Sequence, residues 1–370
     1  MNKVEKILEE LVFLRTDKEY GSNVACVDYI CNILHDNQIV FERLANTNGK
    51  IENVIAGINV ATLKDIAGGL LLSGHIDTVG VNEQDWDFNP FKLTYQSGKL
   101  YGRGTADMKY FVATVLSLLP QLKAVSYPII LCFSGDEETE VLGVRQIIKF
   151  MRDRNIHPQY ALVGEPTHFD VCTAHNGYCG FTTTIKGKGC HSSRPDLGSN
   201  AIYAATKIIA EIEKLNSQYQ PFGTTLNVGK IKGGIGRNSV AEECSFDWDI
   251  RYVSQKHRLE ILQKIEEFCG ALKKQNEVLK IVVETAEELP AFEKVSDSSF
   301  ENKLISFSGG KDIRLPFATE AGFFQQYGIE TLICGAPRTE ILHTANEYIA
   351  ADDLLKYSDF LIRFIKGFSL

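Results

Sequence analysis

Long uncharged apolar runs are absent from this chain: no stretch reaches the ~20 residues that a bilayer crossing requires. Clusters of basic residues are absent as well. Lys and Arg number 39 against 47 Asp and Glu, the formal net charge is −8, and cationic side chains gather into nothing larger than pairs. Long-range attraction to nucleic acid or to an anionic membrane surface is therefore not expected. The nine cysteines contain no C-x-x-C pair, and Cys132, Cys172 and Cys334 lie inside apolar runs. That scatter points to free thiols in a reducing compartment rather than to a disulfide framework. Internal repeats and low-complexity tracts are missing too. The opening segment, MNKVEKILEELVFLR, carries charge throughout, with Val4, Ile7, Leu8, Leu11 and Leu14 at helical spacing. It reads as an amphipathic surface helix and not as a signal peptide, so the expected location is the cytoplasm.

What the chain does contain is enough apolar material for two packed cores. At 370 residues it exceeds the length at which one core usually keeps growing, and a hydrophobic content of 44% suffices to fill two. Helical periodicity near 2–15, 22–36, 106–122 and 139–153 alternates with strand-like runs near 53–58, 69–74, 127–134 and 160–164. Strands interleaved with helices imply an α/β domain with a mostly parallel sheet flanked by helices. Over 178–286 the rhythm changes to β-α-β-β-α-β, the ferredoxin-like order, with helices near 199–215 and 257–273. After 287 the α/β pattern returns, with TLICGA as a strand and AADDLLKYSDFLIRFIKGF as a closing amphipathic helix. The expected organisation is thus a discontinuous catalytic domain, 1–177 and 287–370, interrupted by a smaller one, 178–286.

Five candidate metal ligands follow one another along the chain: His75, Asp107, Glu138, Glu165 and His343. Four sit just past the buried runs GLLLSG, IILCFSG, YALVG and TLICGAP. In open α/β sheets ligands bind outside the carboxyl ends of the strands, so these side chains are expected to converge there. His75 can ligate through one nitrogen while Asp77, two residues on, orients its ring. Asp107 follows the glycine loop YGRGTAD at a helix start, where a carboxylate could cap the helix or bridge two cations. In GDEE, like charges crowd against one another and call for water or metal; there Glu138 is the expected ligand and Glu137 a free general base. Glu347, four residues beyond His343, could support it if that stretch turns helically. Each element alone has a plainer reading, as a strand-end His, a helix cap or an exposed acidic turn; it is their joint placement that argues for a metal site. The stretch KGGIGR lacks the Lys-Ser/Thr and the strand–helix context of a phosphate loop.

SGHIDTV, LYGRGTADMK, GDEE, GEP and a late His together resemble, in order and spacing, the di-zinc aminoacylase and carboxypeptidase family. The resemblance spans essentially the whole chain. It implies an α/β catalytic domain with a lid domain that often mediates dimerisation, and two divalent cations, Zn²⁺ first with Co²⁺ or Mn²⁺ as alternatives. By that resemblance Asp107 bridges the ions, His75 and Glu165 take one, Glu138 and His343 the other, and Glu137 is the catalytic base. It further implies a cis Asp107–Met108 peptide. In KGKGCHSSRPDLGSNAI, His191 matches the lid residue that would stabilise an oxyanion. Asn238 and Arg251 match residues that hold a substrate carboxylate, a task suited to the planar guanidinium. Two departures stand out: Tyr110 replaces the Gly of Asp-Met-Lys-Gly, and APRTEIL, 336–342, replaces a Gly-rich loop, so that Arg338 and Glu340 could alter the substrate pocket.

The expected activity is amide hydrolysis of an N-acyl amino acid by a homodimer joined through its lid. LPFATEAGFF, DWDFNPF and GEPT resemble the acetylornithine-deacetylase branch of the family. Glu320 could attract the substrate's amine or be only a helix-start carboxylate. N²-acetylornithine is therefore the first expected substrate. Succinyl-diaminopimelate, N-acetylcitrulline, other N-acyl amino acids and dipeptides are the alternatives. A non-catalytic scaffold, or a regulator with one metal, would be the reading of another class; no ligand and no base is missing from the set.

Overall fold

The computed structural model describes residues 1–82, 85–296 and 298–368. Two compact units emerge: one from Met1–Thr173, Lys294–Arg314 and the chain from Thr319, the other from Ala174–Glu293 with Leu315–Ala318. The first unit opens with α1 (Lys3–Phe13), α2 (Val24–Asp36), β1 (Val40–Ala45), β2 (Glu52–Ile58), β3 (Ile66–Ala67) and β4 (Leu70–His75). Next come β5 (Thr94–Gln96), β6 (Lys99–Tyr101), α3 (Lys109–Leu122), β7 (Ile129–Ser134) and α4 (Gly143–Asp153). Then follow β8 (Ile156–His157), β9 (Tyr160–Val163) and β10 (Val171–His175). The second unit holds β11 (Gly177–Lys186), α5 (Ala201–Tyr219), β12 (Thr225–Gly233), β13 (Glu243–Tyr252), α6 (Gln255–Gln275) and β14 (Lys280–Leu289). The chain closes with α7 (Ser299–Ser308), β15 (Asp312–Leu315), α8 (Ala321–Gln326), β16 (Glu330–Ile333), β17 (Tyr348–Ala350) and α9 (Ala351–Gly367).

The large sheet runs β1-β2-β7-β4-β9-β16-β10-β15. Its centre, β7-β4-β9-β16, is parallel, while β1–β2, β2–β7 and β10–β16 pair antiparallel. The mostly parallel sheet expected from the sequence is therefore a mixed one with a parallel heart. Every residue of β4 and β7 is buried, as strands covered on both faces require. α3 packs on β4, α1 and α9 and is apolar nearly all round, so it lies inside the unit rather than on its surface. Register does the rest: His75 pairs with Ser134, and Val163 with both Ser73 and Ile333. Parallel strands in that register release His75, the turn after Ser134 and Glu165 at one edge of the sheet.

The second unit is a four-stranded antiparallel sheet, β12-β13-β11-β14, on which α5 and α6 pack together. Alternate residues of β13, from Cys244 to Tyr252, face its core, where Trp248 stacks on Phe181 at 4.4 Å and donates to Thr183 Oγ1 at 2.9 Å. Element order and layering are those of the ferredoxin-like arrangement; the limits expected at 178 and 286 fall inside β11 and β14. Among the described residues, no helix is long and apolar enough to cross a membrane.

Candidate metal centre

Six side chains meet in the first unit, beside the edge of the large sheet where β4, β7 and β9 end. His75, at the end of β4, is 1% exposed. Its Nε2 lies 2.9 Å from Asp107 Oδ1 and 3.8 Å from Glu165 Oε1. His343 Nε2 lies 3.2 Å from Asp107 Oδ2 and 2.9 Å from Glu138 Oε1. One oxygen of Asp107 thus faces each imidazole. His75, Glu137 and Glu165 each bring a donor atom within 4.8 Å of one another, and so do His75, Asp107 and Glu138. The Asp107–Met108 peptide is cis, and α3 begins directly after it.

The donor set fits divalent cations. Ligands about 2.0–2.1 Å from a tetrahedral ion lie about 3.3 Å from each other, and the imidazole–carboxylate separations here bracket that value. The electrostatics agree. Burial raises Glu137 and Glu165 well above the ordinary carboxylate range, and the carboxylates facing each of them add to it. Burial and the Asp107 charge likewise lift Glu138, against the hydrogen bond from His343. Hydrogen bonds to Asp107 and Glu138 push His343 up to about 10. Burial opposes charge on His75, yet Asp107 and Asp77 hold it well above its usual value, while the two imidazoles keep Asp107 low despite its burial. An excess of buried carboxylate over imidazole is the charge pattern that cations neutralise.

The supporting residues differ in part from expectation. Asp77 meets His75 Nδ1 through its backbone oxygen at 3.0 Å, with Oδ1 at 3.5 Å. Its carboxylate accepts the N–H groups of Glu137 at 3.1 Å and Glu138 at 2.9 Å, so one side chain sets both the β4 end and the acidic turn. Asp136, unassigned from sequence, accepts from Leu142 N at 3.0 Å and Gly143 N at 2.6 Å and holds the start of α4. The helical turn that would have set Glu347 against His343 does not form, because His343 and Asn346 both adopt left-handed φ, +60° and +57°. Glu347 instead binds the loop that carries Asp107. Glu320 stands at the start of α8, 2% exposed, with Oε2 accepting from Ser73 Oγ at 3.4 Å. Burial pushes its carboxyl up to about 7.

In the second unit, His191 and Asn238 line one cleft of about 950 Å³ with Cys190, Lys186 and Lys232. His191 is exposed, with Nδ1 2.8 Å from Ser193 Oγ. Arg251 is not among the residues of that cleft; its guanidinium lies over the Tyr178 ring at 4.1 Å, with Asp249 at 3.7 Å.

Residues 71–367 match peptidase family M20/M25/M40. The chain belongs to that family. It is an enzyme, a metal-dependent amidohydrolase. An acetylornithine deacetylase of Pasteurella multocida (strain Pm70) is 32% identical over 321 residues, covering 84% of this chain and 83% of that protein. Aminopeptidase PepT from Bacillus cereus ATCC 10987 superposes with a TM-score of 0.76 at 19% identity, over 98% of this chain and 97% of its own. The YXEP protein of Bacillus subtilis, described as a dinuclear metal binding peptidase of the M20 family, gives 0.69 at 15% identity, again over 98% and 97%. At these identities the structural likenesses establish the fold.

Proposed function

We propose that this chain hydrolyses the amide bond of an N-acyl amino acid, with N²-acetylornithine, yielding ornithine and acetate, as its first substrate. The supporting observation is the meeting of His75, Asp107, Glu138, Glu165 and His343 around one carboxylate, with Glu137 alongside. The substrate rests on likeness to relatives named acetylornithine deacetylase. Succinyl-diaminopimelate, N-acetylcitrulline, other acyl-amino acids and dipeptides are the competing substrates.

His75 and Glu165 would hold one divalent cation and Glu138 and His343 the other, with Asp107 between them; Zn²⁺ is the first ion, and Co²⁺ or Mn²⁺ suit the same donors. Divalent cations held there would supply Lewis-acid chemistry, lowering the pKa of bound water and polarising an acyl carbonyl. Glu137 is assigned as the general base, accepting the proton of the attacking water at a carboxylate oxygen and returning it to the leaving nitrogen. Asp77 orients His75 and the Glu137–Glu138 turn together. From the second unit, proposed as lid and dimer contact, His191 is assigned to the developing oxyanion and Asn238 and Arg251 to the substrate carboxylate.

An activity screen of the zinc- and cobalt-loaded protein across these substrates, paired with elemental analysis, tests the reading. The expected result is two ions per chain and fastest turnover of N²-acetylornithine. Glu137→Ala should lower kcat by at least about 100-fold with both ions retained. Inactivity on every acyl-amino acid, or full activity in that variant, would remove the assignment.

A further inference from the structure

Glu347 is 0% exposed, and the chain of 103–107 wraps around its carboxylate. Oε2 accepts from Arg103 Nη1 at 2.8 Å and Gly104 N at 3.1 Å; Oε1 accepts from Ala106 N at 2.7 Å and Asp107 N at 3.0 Å. Its backbone joins in: Gly102 N donates to Glu347 O at 3.0 Å, and Tyr348 pairs with Tyr101 in the β17–β6 ladder. A second layer braces the first. Asn346 exchanges two hydrogen bonds of 2.9 Å with Asp87, Arg103 N donates to Pro90 O at 2.8 Å, and the Arg103 guanidinium lies over Trp86 at 5.2 Å. Convergent backbone N–H groups make a pocket for an anion, and a charge-assisted acceptor holds them about twice as strongly as a neutral one.

We propose that Glu347 is a positioning residue for the Asp107–His343 half of the metal centre. The Asp107 N–H is one of its own ligands, and His343 lies four residues before it on the same segment. Glu347 therefore clamps together the loop that presents the shared carboxylate and the turn that presents the imidazole. His343 and Asn346 both adopt left-handed φ, and the side chain of Asn346, directly before Glu347, is tied to Asp87. Arg103 balances the buried charge and makes the clamp a two-sided one. This inference rests on the metal-centre reading above.

The test is Glu347→Gln, which keeps the volume but turns an NH₂ toward backbone N–H groups. Metal-free wild type and variant are titrated with Zn²⁺ alone by calorimetry and with Co²⁺ alone by visible absorption, and the melting of both metal-free proteins is recorded. The expected result is metal affinity lower by about 10- to 100-fold, with partial recovery in Glu347→Asp. Wild-type affinity in Glu347→Gln, even with a lowered metal-free melting temperature, overturns the role and leaves Glu347 a purely structural residue. If Glu347→Gln does not fold, Arg103→Lys decides, because it keeps the cation but removes the guanidinium whose Nη1 reaches Glu347 Oε2: weaker metal binding supports the clamp, unchanged binding overturns it. Wild-type protein that takes up no pair of ions overturns the metal-centre reading as well, and so separates the two failures.

Discussion

Tyr110 stands where the family resemblance leads one to expect Gly, and the structure gives it a task. The side chain is fully buried; its hydroxyl donates to Gly164 O at 2.6 Å and accepts from Ala336 N at 3.1 Å, and its ring meets Tyr357 edge-on at 5.5 Å. It thus joins α3 to the turn that carries Glu165 and to the start of the 336–342 loop, so the two departures noted in the sequence are parts of one contact. Gly335 makes room for it, since a Cβ there would run into the Tyr110 hydroxyl. Tyr110→Phe leaves a buried carbonyl and a buried N–H without their partner. The expected cost is about 1–3 kcal/mol, read as a lower denaturation midpoint. An unchanged midpoint would show that water takes the place of the hydroxyl.

Among the elements, α1 shows how a surface helix is tied to the centre beneath it. Asn2 and Glu5 form a reciprocal capping box at its start, and the buried Lys109 donates to Leu11 O at 2.8 Å and Leu14 O at 2.9 Å near its end. Just beyond, Arg15 grips the buried Asp17 through two hydrogen bonds of 2.9 Å. Burial alone would raise the Asp17 carboxyl, but Arg15 and the Tyr20 N–H outweigh it and hold the group below 3.8. A carboxyl depressed on folding contributes stability above its unfolded value, and that contribution is lost as pH falls through the folded one. Asp17→Asn should therefore lower the melting temperature at neutral pH and flatten its decline below pH about 4. Parallel wild-type and variant curves through that acid range would contradict this. Long periodic helices such as α1, α4 and α9 were readable beforehand, because their apolar stripes repeat within a few residues. β1, β5, β6 and β17 were not: they are short or carry charge, and only pairing with a neighbour makes them strands.

Each of the two units has its own core, and every proposed ligand belongs to the first. Ions that bind only the folded first unit stabilise it by about 2.7 kcal/mol for each site filled at a free concentration 100 times Kd. Chelation should accordingly lower one calorimetric transition and leave the other in place. A single transition that moves as one would instead mean that the two cores unfold together.

Periodicity, strand ends and the identity of the clustered donors could be read along the chain, because each depends on residue type and on neighbours a few positions apart. His75 and Glu165 were legible for that reason: each closes a buried run. The partners of Glu347 lie about 240 positions away, and Ser73 lies 247 from Glu320. No local pattern encodes such pairings. Packing settled them: a left-handed turn aimed Glu347 away from His343, and a helix beginning inside the core closed Glu320 off from water.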